Sequence, residues 1–277
     1  MTIRDKVAVI TGVSSGLGRE CVKVFAAQGA RVVGSARRAE AGAELEREVR
    51  AAGGQARFVA CDLRRVEECD RLIDAAVDAY GRVDILINNA AARSNPPLLA
   101  FDRVDEANWD DVLDTNLKAA FFCARAAVRD MLKRGSGMIV NIASYTAVEA
   151  VAGMAPYAIS KAGLIHMTRM LAVEYMDRGI KSNVIILGGV NTGQAARTQA
   201  AVDSFTAGAA GAAPVAPARR SSVPMYESAE VARTLALLCH DDARAITGGS
   251  IPIDYGVAAG LYTSLSLHQN FAAQARD

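Results

Sequence analysis

Tyr157 and Lys161, four residues apart in APYAISKAGL, lie one above the other if the segment is helical. Such a pair has two ordinary uses. One is structural, a buried ring beside a solvated amine; the other is chemical, an ammonium that favours the ionised phenol and makes it an acid/base group. A free phenol titrates near ~10, so bringing it towards neutrality takes a fall of roughly 3 in pKa, about 4 kcal/mol in favour of the phenolate. One nearby cation typically supplies about 1–3 of that fall. Lys161 is therefore sized for much of the task.

Other residue types with chemical potential stand at the ends of apolar runs. TGVSSGLG, 11–18, leads from such a run into a helical pattern, and its glycines would let phosphates approach free N–H groups at a positive helix end. Gly12, Ser14, Ser15, Gly16, Leu17 and Gly18 are its candidate cofactor contacts, in the spacing G-x-x-x-G-x-G. At the next run end, Gly34-Ser35-Ala36-Arg37-Arg38 offers two arginines where an acid would select an adenosine ribose. Arginine there suits a 2′-phosphate, or simply begins a solvated helix; Arg37 is the candidate. Asp62, followed by Leu63, reaches for an adenine amino group or caps the next turn. Asn88 and Asn89 are amides better placed to line a cleft than to fill a core, turn chemistry being the alternative. Ser144, in NIASY, either hydrogen-bonds a substrate oxygen or caps a turn. Its neighbour Tyr145 is a rival phenol without a lysine one turn on. Asn116 is unusual inside a helix, where its side chain competes for backbone bonds.

Composition narrows the partner. The chain has 277 residues, 51% hydrophobic and 22% charged, with 31 basic against 30 acidic residues for a net charge of +1. No long basic run points to nucleic acid or to an anionic membrane, so the expected partner is a small molecule. The start of the sequence enters a short β-branched run without a signal-peptide pattern, which leads to a cytoplasmic expectation. Cys21, Cys61, Cys69, Cys123 and Cys239 are odd in number and lack CxxC pairing, which fits reduced core thiols. His166, His240 and His268 lack metal-ligand spacing, so no metal is expected.

These residues need a scaffold, and the pattern supplies one. Apolar runs at 6–11, 31–35, 56–60, 84–89, 137–144, 181–187 and 248–254 alternate with amphipathic segments at 17–28, 39–52, 66–80, 109–134, 157–175 and 228–239. Most runs are apolar on both faces, which predicts an α/β fold: one Rossmann-type, doubly wound parallel sheet of about seven strands with helices on both faces. Residues 1–277 read as a single dinucleotide-binding and catalytic domain. A segment rich in Ala, Gly, Ser and Pro at 193–226 reads as a substrate loop, with a short helix around 195–205, and 257–277 as a C-terminal extension.

In its order of TGVSSGLG, NNAA at 88–91, Asn116, Ser144 and Tyr157-x-x-x-Lys161, the chain resembles the classical short-chain dehydrogenase/reductase family from Val7 to about Gly256. The resemblance implies hydride transfer between a nicotinamide and a ketone or secondary alcohol, with Tyr157 as proton donor or acceptor. It also implies that Ser144 holds the substrate oxygen, that Lys161 holds the nicotinamide ribose, and that Asn116 holds a water that relays protons. Gly188, Val190 and Thr192 would frame the nicotinamide pocket. With Arg37 in place, the implied cofactor is NADP(H), with NAD(H) the alternative, and a homo-oligomer, tetramer or dimer, is implied. The other readings are an NAD-dependent alcohol dehydrogenase and a nicotinamide-nucleotide sensor without turnover. Ala91, Leu187 and Tyr255 depart from the family pattern, where glycine, proline and glycine are usual, but none removes a reacting group. The side chains beyond Ser144 are mostly small and apolar, which suits an uncharged substrate, while Arg197, Arg219 and Arg220 leave an anionic one open.

Overall fold

The structure, a computed structural model, describes residues 2–93, 98–192 and 225–256. In chain order the first elements are β1 (Val7–Thr11), α1 (Gly16–Ala27), β2 (Arg31–Ala36), α2 (Ala39–Ala51), β3 (Gln55–Ala60), α3 (Val66–Tyr80) and β4 (Ile85–Asn88). Then come α4 (Glu106–Leu113), α5 (Ala119–Met131), β5 (Gly137–Ser144), α6 (Ala155–Tyr175), β6 (Ile180–Leu187), β7 (Val190–Asn191), β8 (Tyr226–Glu227), α7 (Ser228–Leu238) and β9 (Ser250–Ile253).

β1 is buried along its whole length because its alternate residues serve two cores. Ala8 and Ile10 pack with Leu17 and Phe25 of α1 and with Val231 and Leu235 of α7, while Val7 and Val9 pack with Leu72 of α3 and Cys123 and Ala127 of α5. A strand buried on both faces must be covered by helices on both, and the parallel sheet β3-β2-β1-β4-β5-β6-β9 is built so. Strand order reverses between β1 and β4, so the chain leaves those neighbours in opposite directions and opens a crevice at their carboxyl ends. The seven-stranded Rossmann-type arrangement expected from the alternation is the one observed.

The helix expected at 109–134 differs in two ways. It begins at Glu106, because Asp105 caps it by accepting a hydrogen bond from Asn108 N at 2.7 Å. It is also widened at Asp114–Lys118 into a π-helical turn between α4 and α5. That turn presents the Asn116 side chain inward, where it is buried. A second difference is the two-stranded pairing of β7 with β8, too short to have a period in the sequence. The pair draws together the chain on either side of 193–224. The expected helix at 195–205, nearly all of the substrate loop, Arg197, Arg219 and Arg220, and the extension at 257–277 lie outside the described residues. Among the described residues no helix is long and apolar enough to cross a membrane, and all five cysteines are free and buried.

A buried polar chain crosses the sheet beneath the site. Asn88 Nδ2 donates to Asn141 Oδ1 at 2.9 Å, Asn141 Nδ2 donates to Thr168 Oγ1 at 2.9 Å, and Thr168 Oγ1 donates to Leu164 O at 2.8 Å. It ties β4, β5 and α6 at one level. Asn141→Leu, of similar volume, removes two of these bonds while Asn88 Nδ2 keeps Ala120 O and Thr168 Oγ1 keeps Leu164 O, and is expected to cost about 2 kcal/mol, read as a lower urea midpoint with an unchanged slope.

Candidate active site

β5 ends at Ser144, and α6 starts at Ala155 with Pro156 in its first turn, where a missing N–H costs nothing. These ends bring Ser144, Tyr157 and Lys161 together. Ser144 Oγ accepts from Thr146 N at 3.3 Å, so it does cap the short turn Tyr145–Ala147, and it also acts on the Tyr157 phenol by hydrogen bonding. Tyr145, the rival phenol, packs instead against Ala143, Ile165, Val184 and Ile186.

Lys161 is 2% exposed. Its Nζ donates to Ile142 O at 2.8 Å and lies 5.6 Å from the centre of the Tyr157 ring. Burial lowers the amine to about 7, and the charge of Arg93 adds to the fall. Tyr157 keeps some exposed surface, but protein surrounds its hydroxyl closely enough that desolvation raises the phenol. Arg93 and Ser144 oppose that rise. Burial outweighs the neighbouring charges, and the cation that opposes it is Arg93, whose guanidinium carbon lies 5.4 Å from the ring centre. Arg93 carried no signal in the sequence, since only the fold brings the segment after β4 onto α6.

Asn116 is placed as a clamp. Its Oδ1 accepts from Ala92 N at 2.6 Å, and its Nδ2 donates to Ala92 O and Ser160 Oγ, both at 3.0 Å. Ser160 Oγ in turn donates to Tyr157 O at 2.7 Å. The carboxamide thus joins the strand exit after β4 to the first turns of α6.

The candidate cofactor cleft opens where the strand order reverses. Gly12 and Gly16 have φ of +74° and +58°, and a Cβ on Gly18 would stand 2.4 Å from Gly12 O. These positions need glycine, and the turn they form ends on the open amino terminus of α1. Its N-cap, Ser15, makes no side-chain cap bond, and its first turn holds no acid. Such an end favours an anion. The Leu17 and Leu63 side chains are buried in the two cores, so each would meet a cofactor only through backbone. Arg38, not Arg37, folds over the turn: its Nη2 donates to Ser14 Oγ at 2.9 Å and to Ser15 Oγ at 3.3 Å. Arg37 is exposed beside Asp62. Asp62 is engaged by Arg64, whose Nε lies 2.9 Å from Oδ1, and that pairing holds the carboxyl below its usual range.

The two asparagines are turned inward. Asn88 belongs to the polar chain under the site, and Asn89 Nδ2 donates to Thr11 O at 2.9 Å and Gly12 O at 3.2 Å. The expectation that their amides line the cleft is corrected for Asn88, which is buried against Asn141 Oδ1 and Ala120 O; Asn89 stays partly exposed and braces the glycine turn. On the far wall, Thr192 stands over Gly16, whose added Cβ would lie 3.1 Å from Thr192 Cβ. Gly188 packs against Asp254 so closely that its Cβ would stand 2.7 Å from Asp254 Cα. Val190 is partly buried in β7. The open helix end, the tight glycine turn and the arginine above it fit the phosphates of a dinucleotide.

A family described as short chain dehydrogenase matches residues 6–203. The 2,5-dichloro-2,5-cyclohexadiene-1,4-diol dehydrogenase LinX of Sphingobium indicum is 33% identical over 94% of this chain and 98% of its own. The 3-oxoacyl-[acyl-carrier-protein] reductase FabG of Vibrio cholerae is 32% identical over 93% of this chain and 99% of its own. Among solved structures, a variant of the actinorhodin polyketide ketoreductase with NADPH superposes with a TM-score of 0.82 at 31% identity, covering 92% of this chain and 98% of that one.

The lysine makes a stability prediction whose sign is fixed. Below about pH 7 folded Lys161 is charged and buried, and the penalty stands in full. From there to the unfolded value near ~10.4 the unfolded chain holds a proton that the folded chain has released, so stability rises with pH across that window. Lys161→Met is expected to exceed the parent in stability at pH 6 by about 2 kcal/mol, a gain that shrinks towards pH 10 in parallel urea titrations.

Proposed function

The chain belongs to the short-chain dehydrogenase family, and on that premise we propose that it is an NADP(H)-dependent ketoreductase acting on a ketone or secondary alcohol. The observation that carries the reading is the meeting of Tyr157 with Ser144 and Lys161 at the carboxyl end of the sheet, beside a cleft suited to a dinucleotide. When bound, the nicotinamide supplies or accepts the hydride. Tyr157 gives its proton to the carbonyl oxygen in reduction and takes one from the alcohol in oxidation. Ser144 donates to the same oxygen and stabilises the charge developing there. Lys161, anchored on Ile142 O, holds its amine one turn beyond the phenol and within reach of a ribose. Asn116 keeps the floor of the site in register through Ala92 and Ser160.

The glycine turn and the amino end of α1 hold the pyrophosphate, and Arg38 with Arg37 holds the 2′-phosphate that distinguishes NADP(H). Support for the phosphorylated cofactor comes from Arg38 over Ser14 and Ser15, and from the NADPH named with the actinorhodin ketoreductase. We read the chain as one domain working as a homo-oligomer. Phe121 of α5 and Ile159, Met170 and Val173 of α6 expose apolar surface that suits a subunit contact. Buried free cysteines suit the reducing cytoplasm.

Two measurements test the reading. NADPH oxidation over a panel of aliphatic, aromatic, steroid and acyl-thioester ketones should give turnover that Tyr157→Phe lowers about a thousandfold without loss of NADPH binding. Tight NADPH binding without turnover on any ketone would favour a nucleotide sensor instead. Arg38→Ser and Arg37→Asp should each raise the KM for NADPH about tenfold or more while leaving that for NADH nearly unchanged. An unchanged preference would remove the argument for the phosphorylated cofactor.

A further inference from the structure

We propose that Arg93 is a catalytic residue of this site, its guanidinium supplying the positive charge that stabilises the Tyr157 phenolate during turnover. The proposal rests on Tyr157 being the acid/base group. In reduction a hydride from the reduced nicotinamide adds to the carbonyl carbon. The Tyr157 O–H bond breaks, its proton goes to the carbonyl oxygen, and the electron pair stays on the phenolate. A cation beside that oxygen therefore interacts more strongly with the transition state than with the resting phenol.

Three observations place Arg93 in that position. Its guanidinium carbon lies 5.4 Å from the Tyr157 ring centre, and its side chain acts on the phenol through both charge and hydrogen bonding. Its backbone is held in place: both polar groups of the preceding residue, Ala92, are bound by the Asn116 carboxamide at 2.6 and 3.0 Å. The same carboxamide reaches Tyr157 O through Ser160, so one side chain ties together the two backbone segments that carry the phenol and the guanidinium.

The second cation near the ring is of another kind. Lys161 sits 5.6 Å from the ring centre on the same helix, but its amine is buried and bound to Ile142 O, and it loses its proton at about 7. A guanidinium keeps its charge across the working range. Around the phenol the facing groups are therefore Arg93 from the segment after β4, Lys161 from α6 and the Ser144 hydroxyl from β5; no described carboxylate acts on it. Of these, Arg93 is the cation that comes from outside α6 and opposes the effect of burial on the phenol.

The test compares the parent, Arg93→Gln and Arg93→Lys, each beside its own Tyr157→Phe counterpart. The near-ultraviolet phenolate absorbance, taken as the difference within each pair, titrates Tyr157 alone. The midpoint is expected about one pH unit higher in Arg93→Gln, with Arg93→Lys close to the parent. Oxidation by NADP+ of the secondary alcohol that corresponds to the ketone turned over fastest in the panel, whose rate climbs as the phenol loses its proton, should show the same displacement and about a tenfold loss on the lower part of the limb. Coincident midpoints overturn the proposal. So does a loss confined to alcohols that carry a carboxylate, with uncharged alcohols and the midpoints unmoved, which would make Arg93 a clamp for a substrate carboxylate. Turnover retained by Tyr157→Phe would be a failure of the acid/base reading itself, separate from the role of Arg93.

Discussion

A lysine amine held away from water is the constraint around which this site is arranged. Lys161 reaches Ile142 O only because α6 packs over β5 and β6, and it is among the most buried large side chains of the described residues. Desolvating it costs several kcal/mol before the carbonyl repays a part. A fold optimised for stability alone would place an apolar side chain here. A buried titratable amine one turn from a phenol is the kind of costly placement that shared chemistry favours, and that energetic argument is stronger than the four-residue spacing by itself.

That arrangement would be of little use if the parts could drift. Ser144 comes from β5, Tyr157 from α6 and Arg93 from the exit of β4, and none of these is adjacent in sequence. The Asn116 carboxamide spans two of the three elements, and the widened turn at Asp114–Lys118 is what aims it inward. An α-helix with one extra residue in a turn gives up regular hydrogen bonding, and such turns recur at functional sites. The polar chain from Asn88 to Thr168 does similar work one layer below, with no apolar slack between strands and helix.

The sheet was legible in the sequence because strands buried on both faces leave apolar runs that few other structures produce. The glycine turn was legible because a backbone that must pass within 2.4 Å of a hypothetical Cβ has no alternative to glycine. What stayed hidden was everything decided by side-chain direction. Asn89 and Asp62 occupy the expected strand ends, yet each is turned to an internal partner, Gly12 O or Arg64, that pattern reading cannot see. Arg37 and Arg38 were indistinguishable as letters, and only backbone direction after β2 brings the second over Ser14. Arg93 was invisible for the same reason, since its partner lies a crossover connection and a strand away.

Tyr255 shows how a departure from a family pattern can be absorbed. Where glycine is usual, this tyrosine takes φ of +54°, a conformation costing roughly 1–2 kcal/mol for a residue with a Cβ. Its ring stacks on Tyr226 with centres 3.9 Å apart and planes 13° from parallel, and its N–H donates to Tyr226 Oη at 3.3 Å. Stacking of this kind contributes about 0.5–1.5 kcal/mol beyond buried area, so strain and contact nearly cancel. The position of the contact matters more than its size. Tyr226 begins β8, whose pairing with β7 closes the chain on both sides of 193–224, and Tyr255 directly precedes the last residue before 257–277. The stacked pair therefore fixes the points from which both segments leave the sheet. A tyrosine in place of a glycine is here an anchor at the start of both segments.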